Sequence, residues 1–316
     1  MPSFPRVLRD RCGHASTTAE HRSAVRIASD WLTAEIAACG AELVGLATSQ
    51  GRELLWRGDP LWWTGRSPLL FPIVGKVPGD RLLIDGKEYD MPQHGFARRM
   101  DFALLRADPS SCLFELRSSS ETLQCYPFPF ALRVAYRISD RALAVTATVC
   151  NEGEVPMPMS FGYHPAFRWP LSDEPRREAY ELQFEFDEPD PVPRLIDGLL
   201  SEQRVPSPVD QRRLQLSDGL FENGAIVFDA LRSRWVTYGT RAAPMLRVRF
   251  PEMPHLGVWS KPGAPFVCIE PWQGYAAPVG FAGQLRDKPG IVLVLPGASK
   301  TYEMAIELVA HKLTST

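Results

Sequence analysis

Through much of this chain, apolar side chains fall on every second position. In Leu132-Arg133-Val134-Ala135-Tyr136-Arg137-Ile138 the large apolar groups alternate with small or charged ones. Leu143, Val145, Ala147 and Val149 alternate with Ala144, Thr146, Thr148 and Cys150, and Leu246, Val248 and Phe250 with Arg247 and Arg249. A period of two places successive side chains on opposite faces of a strand, so each segment offers one face to a core. Short runs of this kind recur at 35–47, 112–117, 181–186, 224–228, 266–270, 291–295 and 302–308. Asp85-Gly86, between Leu82-Leu83-Ile84 and Lys87-Glu88-Tyr89, reads as a tight hairpin; Asn151-Glu152-Gly153 and Asp218-Gly219 punctuate the chain likewise. The 29 prolines are about twice the usual share. They mark edges and connections, because proline cannot donate to a sheet ladder.

Helical signals are sparse. Thr17 and Glu20 stand at capping-box spacing, so residues 17–28 read as one short helix or as a poorly ordered extension. Residues 1–29 are therefore expected to be an N-terminal extension, and 30–316 a single domain. No repeat, heptad pattern or long linker divides the chain. The expected fold class is all-β: more than a dozen antiparallel strands, too many for one open sheet, folded over as a sandwich.

Composition narrows the partners. With 35 basic and 37 acidic residues the formal charge is -2, so no overall field favours nucleic acid or an anionic membrane. No apolar run approaches the roughly 18 residues of a membrane-spanning helix, and the N-terminus lacks the apolar stretch of a secretory signal. The six cysteines are scattered without a CxxC pair. Reduced thiols and a cytoplasmic location are expected on that basis. The natural ligand is a small neutral or weakly charged molecule.

Candidate chemistry gathers in a few segments. Nucleotide-binding, zinc-protease and serine-hydrolase signatures are missing, and no histidine is spaced locally for a metal pair, so no metal is expected. His94 lies in Met91-Pro92-Gln93-His94-Gly95-Phe96-Ala97-Arg98, and His164 in Ser160-Phe161-Gly162-Tyr163-His164-Pro165-Ala166-Phe167. Each is fixed by Gly or Pro and surrounded by aromatics. Aromatic faces with a few polar groups suit a pyranose ring; an ordinary hydrogen-bonded histidine would read the same. Glu270 ends the apolar run Phe266-Val267-Cys268-Ile269 and precedes Pro271-Trp272. Desolvation there would raise its pKa and make it a better base near neutral pH; a solvated edge carboxylate is the plain alternative. Lys76 follows Phe71-Pro72-Ile73-Val74-Gly75, which reads as a buried strand, and is either a sugar contact or a solvated lysine. Trp62, Trp63, Trp259 and Trp272 are candidates for a stacking platform or simply core.

Taken in order, these segments and Leu256-Gly257-Val258-Trp259-Ser260-Lys261-Pro262-Gly263 resemble the LacX-like branch of the aldose 1-epimerase (galactose mutarotase) family, over about residues 30–308. The resemblance implies a galactose mutarotase-like β-supersandwich and a concave face that binds a free aldose such as glucose or galactose. It implies Glu270 as general base, His164 as general acid, His94 as a hydrogen-bond partner of the sugar and Lys76 in the sugar-binding cation position; Trp259 and Arg98 are read beside them as further candidate sugar-binding residues. No cofactor is implied, because anomer exchange needs neither a redox change nor an external nucleophile. The family usually has arginine where this chain has Lys76, a point charge in place of a planar fork. Its sugar-contacting aspartate has no evident counterpart here. A hexose-6-phosphate mutarotase (with Arg98, Arg99 or Lys261 taking the phosphate) and a non-catalytic carbohydrate-binding protein remain alternatives. A glycoside hydrolase would need a second carboxylate flanking the bond.

Overall fold

The computed structural model describes residues 24–171 and 176–309. Within them the chain is built of antiparallel strands joined by loops and single turns of 3₁₀ helix. The largest sheet has nine strands. At its centre lies Ser299–Leu308, paired to Ala142–Asn151, the second strand of a hairpin that begins with Phe130–Ser139. Leu132, Val134, Tyr136 and Ile138 are buried while Arg133 and Arg137 are exposed, which is the alternation expected from the sequence.

A six-stranded sheet carries the site. Its order runs Ile226–Phe228, His255–Trp259, Phe266–Gln273, Phe161–Tyr163 and Leu69–Leu70, with Ala166–Arg168 also paired to Phe266–Gln273. Both faces of this sheet are covered. Phe161, Tyr163, Leu256, Val258, Val267 and Ile269 join the main core. Phe266, Cys268 and Trp272 alternate with them and join two smaller clusters on the opposite face.

Aromatic side chains fasten the two sheets together. Phe161 stacks on Tyr302 with ring centres 5.5 Å apart. The Tyr163 hydroxyl lies 3.0 Å from the Val145 carbonyl and 2.9 Å from that of Tyr302, and accepts from the Ala147 N–H at 3.1 Å. One continuous core results, running from Ile27 to Ile306.

Five expectations change. Val25–Ala28 is a strand paired to Leu32–Ile36, so the fold begins inside the stretch expected to be an extension. The end of the expected helix over 17–28 is that strand, and residues 17–23 lie outside the described residues. The run 35–47 is two strands, parted by Gly40 and Ala41 at φ 67° and 45°. The strand expected over Phe71–Gly75 does not form: a strand covers only Leu69–Leu70, and beyond it the chain is irregular but buried. Cys39 is disulfide-bonded rather than reduced, whereas Cys112, Cys125, Cys150 and Cys268 are free thiols. No helix among the described residues is long and apolar enough to cross a membrane.

Candidate functional site

Glu270 sits within the strand Phe266–Gln273, opposite Gly257 on the neighbouring strand. His164 immediately follows the strand Phe161–Tyr163. Pro165 has no N–H to donate, so the ladder breaks there. Its carbonyl instead accepts from Ile269 N–H at 3.1 Å, which anchors the break against the Glu270 strand. His164 Nε2 thereby lies 3.0 Å from Glu270 Oε2, with side-chain exposures of 8% and 2%. Sequence separation is over a hundred residues; the sheet register closes it.

Burial governs the electrostatics of this pair. Desolvation pushes the Glu270 carboxyl well above the ordinary carboxylate range. Burial, with the Arg98 charge second, pulls His164 down to about 3. Both shifts favour the uncharged forms, so the pair rests with a single proton shared across its hydrogen bond. His164 Nδ1 is buried and has no hydrogen-bond partner. Nε2 is the ring nitrogen turned to Glu270.

His94 is held by two loops laced together. Its Nδ1 accepts from Gly75 N–H at 3.1 Å, and its own N–H donates to Gly75 O at 2.8 Å. That acceptor role places the proton of the neutral ring on Nε2. His94 takes a left-handed φ of 67°, and Gly95 follows at 73°. A Cβ at Gly95 would strike the Phe71 backbone, so only glycine fits that close approach. Burial, the neighbouring His164 and the Arg98 charge all hold His94 well below the usual histidine range.

Indoles form the walls and floor. Trp63 stacks on His164 with ring centres 5.0 Å apart, and meets Trp259 edge-on at 5.5 Å. Trp56 Nε1 donates to the Trp63 carbonyl at 2.8 Å and pins the loop that brings Trp63 in. Trp272 lies across the sheet, covering Gly162 and Gly257 on the two flanking strands; a Cβ on Gly162 would come within 2.6 Å of the indole.

These groups line a cavity of about 430 Å³. Five of the residues expected at the site meet there: Glu270, His164, His94, Arg98 and Trp259. Lys76 does not. Its Nζ turns to the Asp197 carbonyl at 3.2 Å, tying down the tip of the hairpin Val192–Ile196 and Leu199–Val205. Asp197, at that tip, lines the cavity, as do Gln93 and Asn223. Asp197 went unassigned in the sequence, although Asp197-Gly198 between two apolar stretches is a hairpin signal of the kind read at Asp85-Gly86. Asn223 sits in a loop without local signature.

One group of possible metal ligands occurs among the described residues: His164, Cys268 and Glu270, with ligand atoms within 4.8 Å of one another. Local spacing gave no hint of it, because the strands bring the three together from distant positions. Burial, with the Glu270 charge second, holds the Cys268 thiol well above its ordinary pKa.

The sequence model of the Aldose 1-epimerase family matches residues 23–304. The plasmid LacX protein of Lactococcus lactis subsp. lactis is 34% identical over 295 residues, covering 89% of this chain and 99% of that protein. A galactose mutarotase related enzyme from Lactobacillus acidophilus superposes with a TM-score of 0.85 at 29% identity, over 91% of this chain and 97% of that one. A galactose mutarotase-like protein from Lactobacillus casei ATCC 334 also gives 0.85 and 29%, over 91% and 100%. With the five ordered segments and the all-β fold of antiparallel sheets, these matches show that the chain belongs to the aldose 1-epimerase family, in its LacX-like branch.

Proposed function

We propose that the protein is an aldose 1-epimerase that interconverts the α and β anomers of a free aldose such as glucose or galactose. The observation that carries this reading is the His164–Glu270 contact at 3.0 Å, buried against an indole-walled cavity. Passing the shared proton from Glu270 to His164 yields carboxylate and imidazolium. Glu270 then takes the anomeric hydroxyl proton while His164 Nε2 protonates the ring oxygen. The C1–O5 bond breaks, rotation about C1–C2 presents the other carbonyl face, and reclosure reverses both transfers. The pair returns to its starting state without gaining or losing a proton. In this reading His94 Nε2–H, beside the Gln93 amide, and Asp197 at the hairpin tip hold sugar hydroxyls. Trp63, Trp259 and Trp272 offer faces to the sugar's CH patches.

A neutral sugar fits better than a sugar phosphate. Among the described residues lining the cavity Arg98 is the lone cation, it donates to the Gln93 carbonyl at 3.0 Å, and Glu270 and Asp197 oppose it. The cytoplasmic setting keeps the support of four free thiols and loses that of Cys39. Polarimetry of fresh α-D-glucose and α-D-galactose, with their 6-phosphates in parallel, tests the activity. Acceleration of the free sugars is expected; none across an aldose panel sinks the reading. Glu270→Gln and His164→Asn should each lose about 10²–10⁴ in rate while sugar binding largely survives.

A further inference from the structure

Cys268 is the buried group beside this pair that the acid–base reading leaves unused. It stands two positions before Glu270 on one strand, so both side chains project from the same face. The Cys268 thiol, the Glu270 carboxylate and the His164 ring each offer an atom within 4.8 Å of the other two. Thiolate, imidazole and carboxylate together are a donor set suited to zinc and to softer divalent cations. Zinc bonds of about 2.0–2.3 Å hold tetrahedral ligand atoms roughly 3.5 Å apart, so the cluster needs to tighten by about 1 Å.

Charge balance favours occupancy. A divalent cation displaces the thiol proton and the carboxyl proton: M²⁺ + Cys–SH + Glu–COOH gives the neutral M(Cys)(Glu) unit and 2 H⁺, with neutral His164 as third ligand. A group with no net charge suits surroundings made of Trp56, Ala166, Ala264 and Phe266. Glu270 and His164 line the cavity, which supplies an entry path and a fourth coordination position for water or sugar.

We propose that His164, Cys268 and Glu270 form a binding site for a thiophilic divalent cation, zinc or cadmium, whose occupancy stops the enzyme. Binding rests on the cluster alone. Inhibition rests in addition on the acid–base role proposed above, because the metal occupies both atoms that would move the proton.

Cobalt(II) titrated into the purified full-length protein tests the binding without reference to activity. The expected result is one equivalent bound, with the near-ultraviolet band of thiolate-to-cobalt charge transfer, bleached by added zinc. Cys268→Ser and Cys268→Ala, each checked for wild-type circular dichroism, should lose the band. Zinc should also inhibit mutarotation of the wild type, and both variants should resist it by ~100-fold or more, since loss of even an outer-shell partner costs 10–100-fold in affinity. No charge-transfer band in the wild type, or equal zinc sensitivity in the variants, overturns the proposal. A band in a protein that mutarotates no sugar upholds the site and removes the acid–base reading instead.

Discussion

The pair's behaviour with pH follows from burial. Adding a second proton leaves a buried positive charge, and removing the shared one leaves a buried negative charge; both states are penalised. Depressed basicity of His164 moves the acid limb down, and the raised Glu270 pKa moves the alkaline limb up. A plot of kcat/KM against pH should therefore show a broad plateau, with the acid limb below the ordinary histidine range and the alkaline limb above the ordinary carboxylate range. Limbs near the ordinary values of both groups would contradict the shared-proton state. The same burial has a stability consequence. A carboxyl whose folded pKa lies above its unfolded value stabilises the fold less and less as pH rises from the unfolded toward the folded pKa. Glu270→Gln removes that cost, so the inactive variant should melt a few degrees higher than wild type at neutral pH in scanning calorimetry.

His94, His164 and Glu270 were legible because each sits in a short segment of glycine, proline and aromatics whose local geometry is nearly fixed. Lys76 was misplaced because a sequence position next to a site does not set where a long side chain turns. Trp63 was readable only as a stacking candidate and Asn223 not at all, since their places depend on loops that reach the cavity from elsewhere. Cys268 shares the period-two face of Glu270, and period alone could have put the two side by side.

At the scale of elements, the site depends on what its strands leave out. Trp272 can lie flat because Gly162 and Gly257, one on each neighbouring strand, have no side chain beneath it. Gly162→Ala would drive a methyl group into the indole, and overpacking of this kind costs about 1–3 kcal/mol. Paired measurements of chemical denaturation and mutarotation should show the variant less stable and slower, because Gly162 lies two residues before His164. Wild-type rate together with lowered stability would show that the tilted indole is no part of the sugar's floor. The alternation that predicted strands here could not reveal this arrangement: a strand apolar on both faces looks the same whichever face meets a ligand.

For the whole molecule, the junction of the two sheets is the feature that matters. Tyr163 drives its hydroxyl into the nine-stranded sheet, among three backbone groups. Tyr163→Phe keeps the ring and strands those groups in a dry interior, at an expected cost of about 1–3 kcal/mol. Its melting temperature should fall, while its rate well below melting stays close to wild type, since the next residue remains anchored through Pro165. An unchanged melting temperature would mean that the backbone groups find other partners. That antiparallel sheets must fold over one another was legible from strand number alone. Which strands meet was not, because it depends on pairings such as His164's segment with Glu270's, far apart along the chain.

The strand Phe266–Gln273 gives one side to the interior and the other to the proposed chemistry. Most enzymes hang their reactive groups on loops, which slacken on warming before the body of the protein does. Here Glu270 rides on the roof beam itself, and the short break that carries His164 is tied to it through the Pro165 carbonyl. Warming should spare the reaction until the whole building gives way, so that thermal inactivation and loss of secondary structure coincide at a single temperature.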